Sequence, residues 1–293
     1  MASTRVEVEV EGRRLSLSNL DKVLYPRSGF MKGQVIDYYT RVAPAVLPHL
    51  RDRPLTLKRY PNGVEAQYFY EKNCPSHAPE WVRKERAGEI DYCVCDDLPT
   101  LVWLANLADL ELHPSLSLAT DMEHPTVMAF DLDPGPGAAL PECGEVALLL
   151  RDALAQLGLD SYAKTSGSKG IQVYVPLNSA EADYRGGTKL LSQALARHLE
   201  QQHPKLIVSQ QKKELRRGKV LIDWSQNDEN KTTIGVYSLR ARERPTVSTP
   251  VAWEELEDPS ALVFEAADVL ERVESEGDLF APVAEMRQEL PEL

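Results

Sequence analysis

The residue pattern of this chain predicts an α+β fold, and three observations carry that prediction. Stretches with period-two apolar alternation recur along the 293 residues, and stretches of helical period lie between them. The two kinds follow one another without a repeated strand–helix–strand unit, which argues against a doubly wound sheet. Lastly, the apolar run Thr126-Val-Met-Ala-Phe130 closes on Asp131 and Asp133 and then meets Pro134-Gly-Pro-Gly137, through which no strand continues.

Taken in order, Val6-Glu-Val-Glu-Val10 alternates as a strand does. Gly33 to Leu50 has helical period, and a break is expected at Pro44, which lacks the amide hydrogen a helix interior uses. Leu55-Thr-Leu-Lys-Arg-Tyr60 returns to strand; the region of Phe69 and Tyr70 then gives way to a loop holding Asn73-Cys-Pro-Ser-His-Ala-Pro79. Leu98 to Leu110 is apolar with helical spacing and reads as a buried helix just ahead of His113. Glu142 to Leu157 and Tyr184 to His203 are two further helices. Between them, Asp160-Ser-Tyr-Ala163 and Ile171-Gln-Val-Tyr-Val175 are strands on either side of a turn. Val220-Leu-Ile222 is a strand ending at Asp223. In the tail, Val263, Ala267, Leu270 and Val273 form the one apolar stripe of an acidic helix. No internal repeat and no low-complexity segment is visible.

Chemistry enters with the acids. Side chains at i and i+2 of a strand share a face, so Asp131 and Asp133 project together where the sheet ends. Two anions held that close repel, and either a proton or a hard cation such as Mg2+ or Mn2+ relieves the clash. Asp223, also at a strand end, is the candidate third ligand of a metal-dependent phosphoryl-transfer centre. An ordinary strand-to-turn junction with solvated acids is the competing reading. The intervening turn, Lys164-Thr-Ser-Gly-Ser-Lys-Gly170, lacks the spacing of a Walker loop, yet its glycines and hydroxyls suit a phosphate cradle.

Composition constrains the class. Hydrophobic residues make up 43% and charged residues 27%, ordinary for a globular protein. No run approaches the length of a membrane span, and Met1-Ala-Ser-Thr-Arg5 has no signal-peptide core, so a cytoplasmic, nucleoid-associated location is expected, with no membrane partner. The net charge is -12, but residues 252–293 hold 13 acids against 2 bases, leaving 31 bases against 32 acids in residues 1–251. Ahead of the tail lie Lys212, Lys213, Arg216, Arg217 and Lys219, then Arg240, Arg242 and Arg244, a footprint suited to phosphate backbones or simply a solvated face. Cys74, Cys93, Cys95 and Cys143 are expected as reduced structural thiols; Cys93 and Cys95 joining His113 or His124 around zinc is the alternative.

Eight segments together resemble the polymerase domain of bacterial ligase D, in the archaeo-eukaryotic primase superfamily. They are Leu20-Asp-Lys-Val-Leu-Tyr-Pro26, Leu57-Lys-Arg-Tyr-Pro-Asn-Gly63, Phe69-Tyr-Glu-Lys-Asn-Cys-Pro75, Glu111-Leu-His-Pro114, Phe130-Asp-Leu-Asp-Pro134, Thr165-Ser-Gly-Ser-Lys-Gly170, Ile222-Asp223 and Tyr237-Ser-Leu-Arg-Ala-Arg242, in the family's order between about Leu15 and about Phe264. The resemblance implies an RRM-like primase-polymerase core with an N-terminal α/β module packed against it. One domain over residues 1–293 is expected: a DNA-contacting module to about residue 110, a catalytic core over about 111–250, and the acidic tail over about 251–293.

The same resemblance implies a template-directed nucleotidyltransferase that fills short gaps or extends ends at DNA breaks in non-homologous end joining, preferring ribonucleotides. By it, Asp131, Asp133 and Asp223 are the catalytic ligands of two divalent cations, Mn2+ or Mg2+. Lys58, His113, Ser166, Lys169 and Arg240 serve the NTP or dNTP. Asn19, Lys22 and Lys32 hold the downstream 5′-phosphate of the gapped DNA, and Phe69 and Tyr70 stack on template bases; Arg216, taken from the basic cluster and not from the resemblance, is the further candidate DNA contact. Ku and a DNA ligase are the implied protein partners. The sequence departs from the family's larger members in carrying no ligase or nuclease module, which leaves open a stand-alone gap-repair or priming polymerase or an excised domain. Two readings of other classes also remain at this point: a metal-dependent phosphoesterase and a non-catalytic DNA-end-binding module.

Overall fold

The structure is a computed structural model that describes residues 5–179 and 181–291. The chain forms two compact units that share it discontinuously. The first takes the chain up to Pro114 together with Ile234–Ser248 and Phe264–Asp278; the second takes Ser115–Thr233, Thr249–Val263 and the chain from Leu279 onward.

The first unit opens with a hairpin, β1 (Arg5–Val10) and β2 (Arg13–Ser18), paired from Arg5↔Ser18 to Val10↔Arg13. Its two-residue turn places both Glu11 and Gly12 at positive φ, the geometry that matches the twist of paired strands. Short strands β3 (Val23–Tyr25) and β4 (Phe30–Met31) lead into α1 (Lys32–Leu50). This helix runs unbroken through Pro44 and Pro48, contrary to the break expected at Pro44. An interior proline costs on the order of 3 kcal/mol. Here burial of Val35, Tyr38, Tyr39, Val42 and Val46 offsets it, and the two tyrosine hydroxyls donate to the carbonyls of Tyr237 and Leu110 at 2.8 and 2.7 Å.

Five strands then form one sheet: β5 (Pro54–Arg59), β6 (Phe69–Glu71), β7 (Lys84–Ala87), β8 (Ile90–Val94) and, after helix α2 (Leu98–Asn106), β9 (Asp109–Pro114). Asp97 caps α2 by accepting from the Thr100 amide at 2.9 Å, and the helix stops short of the expected Leu110, so that His113 stands on a strand. Strand β5 is central, with β9 along one edge and β8 and β6 along the other. Cys74, beside β6, is disulfide-bonded to Cys93 on β8, their Cα atoms 4.8 Å apart. That corrects the expectation of four thiols and removes Cys93 from any zinc site; the spacing of 19 residues carried no sign of it. Cys95 and Cys143 are free and buried.

The second unit begins with a small hairpin, β10 (Ser117–Leu118) and β11 (Asp121–Pro125), followed by β12 (Val127–Pro134) and α3 (Leu140–Gln156). Its main sheet also takes β13 (Tyr162–Thr165), β14 (Ile171–Pro176), β15 (Ile207–Val208), β16 (Val220–Asp223) and β17 (Pro250–Val251), with α4 (Lys189–Gln202) between β14 and β15. The expected start of α4 at Tyr184 is instead a π-turn, Tyr184–Thr188. The strand order is β15-β16-β12-β14-β13-β17, antiparallel except for β15–β16. Helices α3 and α4 pack against the central strands. Phe130 and Leu132, which alternate with the two acids of β12, are fully buried, so Asp131 and Asp133 turn to the other face. The mixed architecture agrees with the α+β expectation.

The tail supplies α5 (Ala266–Glu276) to the first unit and α6 (Ala281–Glu285) to the second. The buried positions of α5 are Ala266 and Val269, while Val263 lies ahead of the helix and is exposed. The expected stripe was therefore displaced at its first half, because an acid-rich helix with few apolar residues constrains its own register weakly.

Candidate active site

In the second unit, strand pairing joins acids far apart in sequence. Asp131 on β12 lies directly opposite Asp223 on β16, and Asp133 follows two residues along the same face. The Asp131 carboxyl is pushed up to about 7, first by burial and then by the charges of Asp133 and Asp223; a hydrogen bond from Gln172 and the charge of Lys164 oppose that rise. A buried carboxyl raised in this way beside further acids is part of a donor set that a hard cation fits. Asp223 is turned back on its own chain, however: its Oδ1 accepts from the amide and hydroxyl of Ser225 at 2.9 and 2.6 Å, and its Oδ2 from Gln226 at 3.1 Å. Among the described residues, no three His, Cys, Asp or Glu side chains are gathered as a metal would need them. Register brings the three acids together on the sheet, and the Asp223 side chain has yet to join the other two.

The turn between β13 and β14 is held against the end of β12. A Cβ at Gly170 would stand 2.3 Å from the Leu132 carbonyl oxygen, so only glycine lets the turn approach so closely. Within it, Ser166 Oγ accepts from the amides of Ser168 and Gly170 at 3.3 and 3.1 Å, and Lys169 is exposed. Likewise, a Cβ at Gly135 would strike the Arg216 carbonyl, and Gly135 donates to Lys219 O at 2.8 Å. The basic segment is thereby fastened to the loop that follows the acids. Arg216 donates through Nη2 to the carbonyl and side chain of Gln211 at 2.8 and 2.6 Å.

In the first unit, Lys58, His113 and Arg240 meet around a residue that motif reading quoted without assigning a role. Glu111, 2% exposed, accepts from Lys58 Nζ at 2.8 Å through Oε2 and from the Ala241 amide at 3.0 Å through Oε1. His113 Nε2 lies 3.2 Å from Oε2, and Arg240 Nε lies 3.4 Å from Oε1. Burial alone would raise the Glu111 carboxyl, but His113, Arg240 and Lys58 hold it far below the usual carboxylate range. Burial lowers His113, and the charges of Arg240 and Lys58 add to this against the opposing pull of Glu111. Lys58 and Glu111 are cross-strand partners, and so are Lys58 and Tyr70. The Lys58 ammonium stands over the rings of Tyr68 and Tyr60 at 4.8 and 5.5 Å. The signal for Glu111 was the period-two series Asp109, Glu111, His113 on one strand face.

Strand β6 leaves Phe69 and Tyr70 about half exposed, and Tyr68 before them also. Alternation required that at most one of the neighbouring pair be packed; on this edge strand neither is. Asn19, at positive φ, accepts from the Lys22 amide, and Lys22 O in turn accepts from the Lys32 amide at the first turn of α1. Lys32 is 5% exposed and donates to Ser18 O at 2.6 Å, while Lys22 reaches Asn62 at 3.0 Å. Burial and the neighbouring Lys22 lower the Lys32 ammonium to about 8. Two amines beside a helix N-terminus make a concentration of positive charge suited to an anion.

A mixed fold whose sheet carries paired carboxylates at a strand end, together with clustered cations for phosphates, has the character of a phosphoryl-transfer protein. The comparisons give the family. A model of the LigD primase-polymerase domain matches residues 31–280, and the chain belongs to that family of nucleotidyltransferases. It is 42% identical over 276 residues to the multifunctional non-homologous end joining protein LigD of Mycolicibacterium smegmatis, covering 92% of this chain and 36% of that protein. To the bifunctional non-homologous end joining protein LigD of Bacillus subtilis it is 32% identical over 265 residues, 90% of this chain and 43% of the relative. The chain therefore spans well under half the length of these relatives. Among solved structures, the polymerase domain of Mycobacterium tuberculosis ligase D in complex with DNA superposes with a TM-score of 0.88 at 40% identity, covering 94% of this chain and 99% of that one. No helix among the described residues is long and apolar enough to cross a membrane.

Proposed function

We propose that the chain is a template-directed polymerase that adds nucleotides, preferentially ribonucleotides, to DNA 3′ ends at short gaps and broken ends, acting in end joining with Ku and a DNA ligase. The observation that carries this reading is the register Asp131↔Asp223 on a sheet end, with Asp133 on the same face, in a chain of this family. Asp131, Asp133 and Asp223 would hold two divalent cations, Asp223 by releasing Ser225 and Gln226. Bound there, Mn2+ or Mg2+ supplies activation of the 3′-hydroxyl and neutralisation of the departing pyrophosphate.

The remaining steps belong to this chain's side chains. Arg240 and Lys58 bind triphosphate oxygens, Arg240 through a planar fork that meets two at once. His113, whose charged form burial disfavours, stands beside them and is held in place by Glu111. Ser166 and Lys169 orient the phosphates, Tyr70 and Phe69 stack on template bases, and Asn19, Lys22 and Lys32 hold the downstream 5′-phosphate. Primer extension on gapped, 5′-phosphorylated DNA with Mn2+ and labelled NTP or dNTP tests the whole reading. Templated incorporation is expected; hydrolysis of DNA or nucleotide without incorporation would identify a phosphoesterase instead, and metal-independent end binding alone a non-catalytic module.

A pH prediction separates the 5′-phosphate pocket from the rest. The folded value of Lys32 is depressed to about 8 from an ordinary 10.5, so the ammonium is charged at neutral pH and loses its proton as pH rises through 8. The fold therefore carries an unfavourable charge below that pH, and phosphate binding offsets it. Affinity for a 5′-phosphorylated gap should fall between pH 7.5 and 9.5, by up to about tenfold per pH unit once Lys32 is deprotonated. Affinity for a 5′-hydroxyl gap should stay nearly level. Fluorescence anisotropy on the two DNAs measures this, and parallel pH profiles would remove Lys32 from the pocket.

A further inference from the structure

Lys164 is a fully buried lysine that the proposed chemistry does not use. Its position is set by register. Asp223 opposes Asp131, Asp131 opposes Gln172, and Gln172 opposes Lys164, so the four form one row across β16, β12, β14 and β13. Residues directly opposite in antiparallel strands share a face, so the lysine and the carboxylates lie on the same side of the sheet. Lys164 Nζ donates to Gln172 Oε1, the Gln172 amide donates to Asp131, and the ammonium stands 5.4 Å from the centre of the Tyr174 ring.

A buried ammonium costs several kcal/mol unless an opposite charge answers it. The Gln172 oxygen and the Tyr174 ring carry no formal negative charge. Asp131 lies within electrostatic reach of Lys164, and Asp133 and Asp223 lie within reach of Asp131. Conversely, acids that share one sheet face repel one another until a cation arrives. Each half of the row relieves the other.

Resting on the carboxylate reading above, we propose that Lys164 is a positioning residue for that site: an internal cation, linked to Asp131 through Gln172, that keeps the acids assembled while no divalent cation is bound. A lysine serving only to fill the core would stabilise the chain equally with and without metal. An internal counter-ion predicts instead that metal matters more once the lysine is gone. Lys164→Met keeps the length of the side chain and removes the charge.

Thermal unfolding at pH 8.5 in EDTA and in Mn2+, with calorimetric titration of Mn2+, tests this without recourse to activity. For Lys164→Met, the melting temperature in EDTA should fall, the rise produced by saturating Mn2+ should be roughly double the parent's, and Mn2+ should bind about tenfold tighter, since a like charge has left its surroundings. Equal destabilisation in both buffers with unchanged Mn2+ affinity would overturn the proposal. The cycle with Asp131→Asn, measured in EDTA, provides a second decision, and remains usable if Lys164→Met fails to fold. Asp131→Asn should raise stability more in the Lys164→Met background than in the parent, because only there does it remove an acid that no internal cation answers. An equal effect in the two backgrounds would also overturn the proposal. Absence of any Mn2+ response in the parent counts against the metal reading of the three acids, and the EDTA cycle then still decides the role of Lys164.

Discussion

Asp131→Asn should abolish nucleotide incorporation, lowering the rate by roughly a thousandfold or more, the scale seen when a group on which the reacting centre depends is removed. Binding to gapped DNA should survive, because the phosphate contacts are proposed for other side chains. Stability should move the other way. The Asp131 carboxyl is raised to about 7 from an ordinary 3.8, so its ionised form is disfavoured in the fold, and stability is lost as pH rises through that interval. An uncharged amide removes this dependence. In metal-free buffer at pH 8, Asp131→Asn should therefore melt no lower than the parent and a few degrees higher if the repulsion is relieved in full. Loss of activity with equal or greater stability distinguishes a functional acid from a structural one. Near-normal extension, or a lower melting temperature together with lost activity, would remove Asp131 from the centre.

That centre was partly legible in the sequence because one of its rules is local. Positions i and i+2 of a strand share a face, so Asp131 and Asp133 could be paired from spacing, and Pro134-Gly-Pro-Gly137 marked the end of their strand. Placing Asp223 opposite Asp131 needed the fold, since strands carrying residues so distant pair through tertiary structure and not through spacing. Lys164 shows the limit plainly. Within Lys164-Thr-Ser-Gly-Ser-Lys-Gly170 it looked like one more polar turn residue, yet strand β13 begins before it and its side chain is wholly enclosed. Helix α1 and the tail failed in a different way. Propensity argued for a break at Pro44, whereas tertiary burial of one helix face outweighed it. The Cys74–Cys93 pairing depends on how β6 and β8 lie beside β5, which no count of cysteines contains.

On the proposed reading, the cluster around Glu111 divides binding from stability between two neighbouring residues, which is why paired substitutions are informative. Arg240→Ala removes the group proposed to meet the triphosphate, so the apparent KM for NTP should rise roughly tenfold or more, the scale of one charge-assisted hydrogen bond. Its DNA affinity and salt dependence should stay close to the parent's, since backbone contacts would show in both. Glu111→Gln acts on the opposite side of the same contacts. It leaves Lys58 and Arg240, both largely enclosed, without the anion they share, and should cost about 3 kcal/mol, as breaking a buried ion pair from one side does. The sign of its pH dependence follows from the depressed carboxyl: Glu111 stabilises the fold above its ordinary 4.5, and that contribution is lost as pH falls below it. The variant's stability should accordingly fall less steeply below pH 4.5 than the parent's. Saturating triphosphate, an anion meeting the same two cations, should restore more stability to Glu111→Gln than it adds to the parent. Denaturant melts with and without NTP read both effects. If triphosphate stabilised the two chains equally, Lys58 and Arg240 would be structural partners of Glu111, and the nucleotide would have to be held elsewhere.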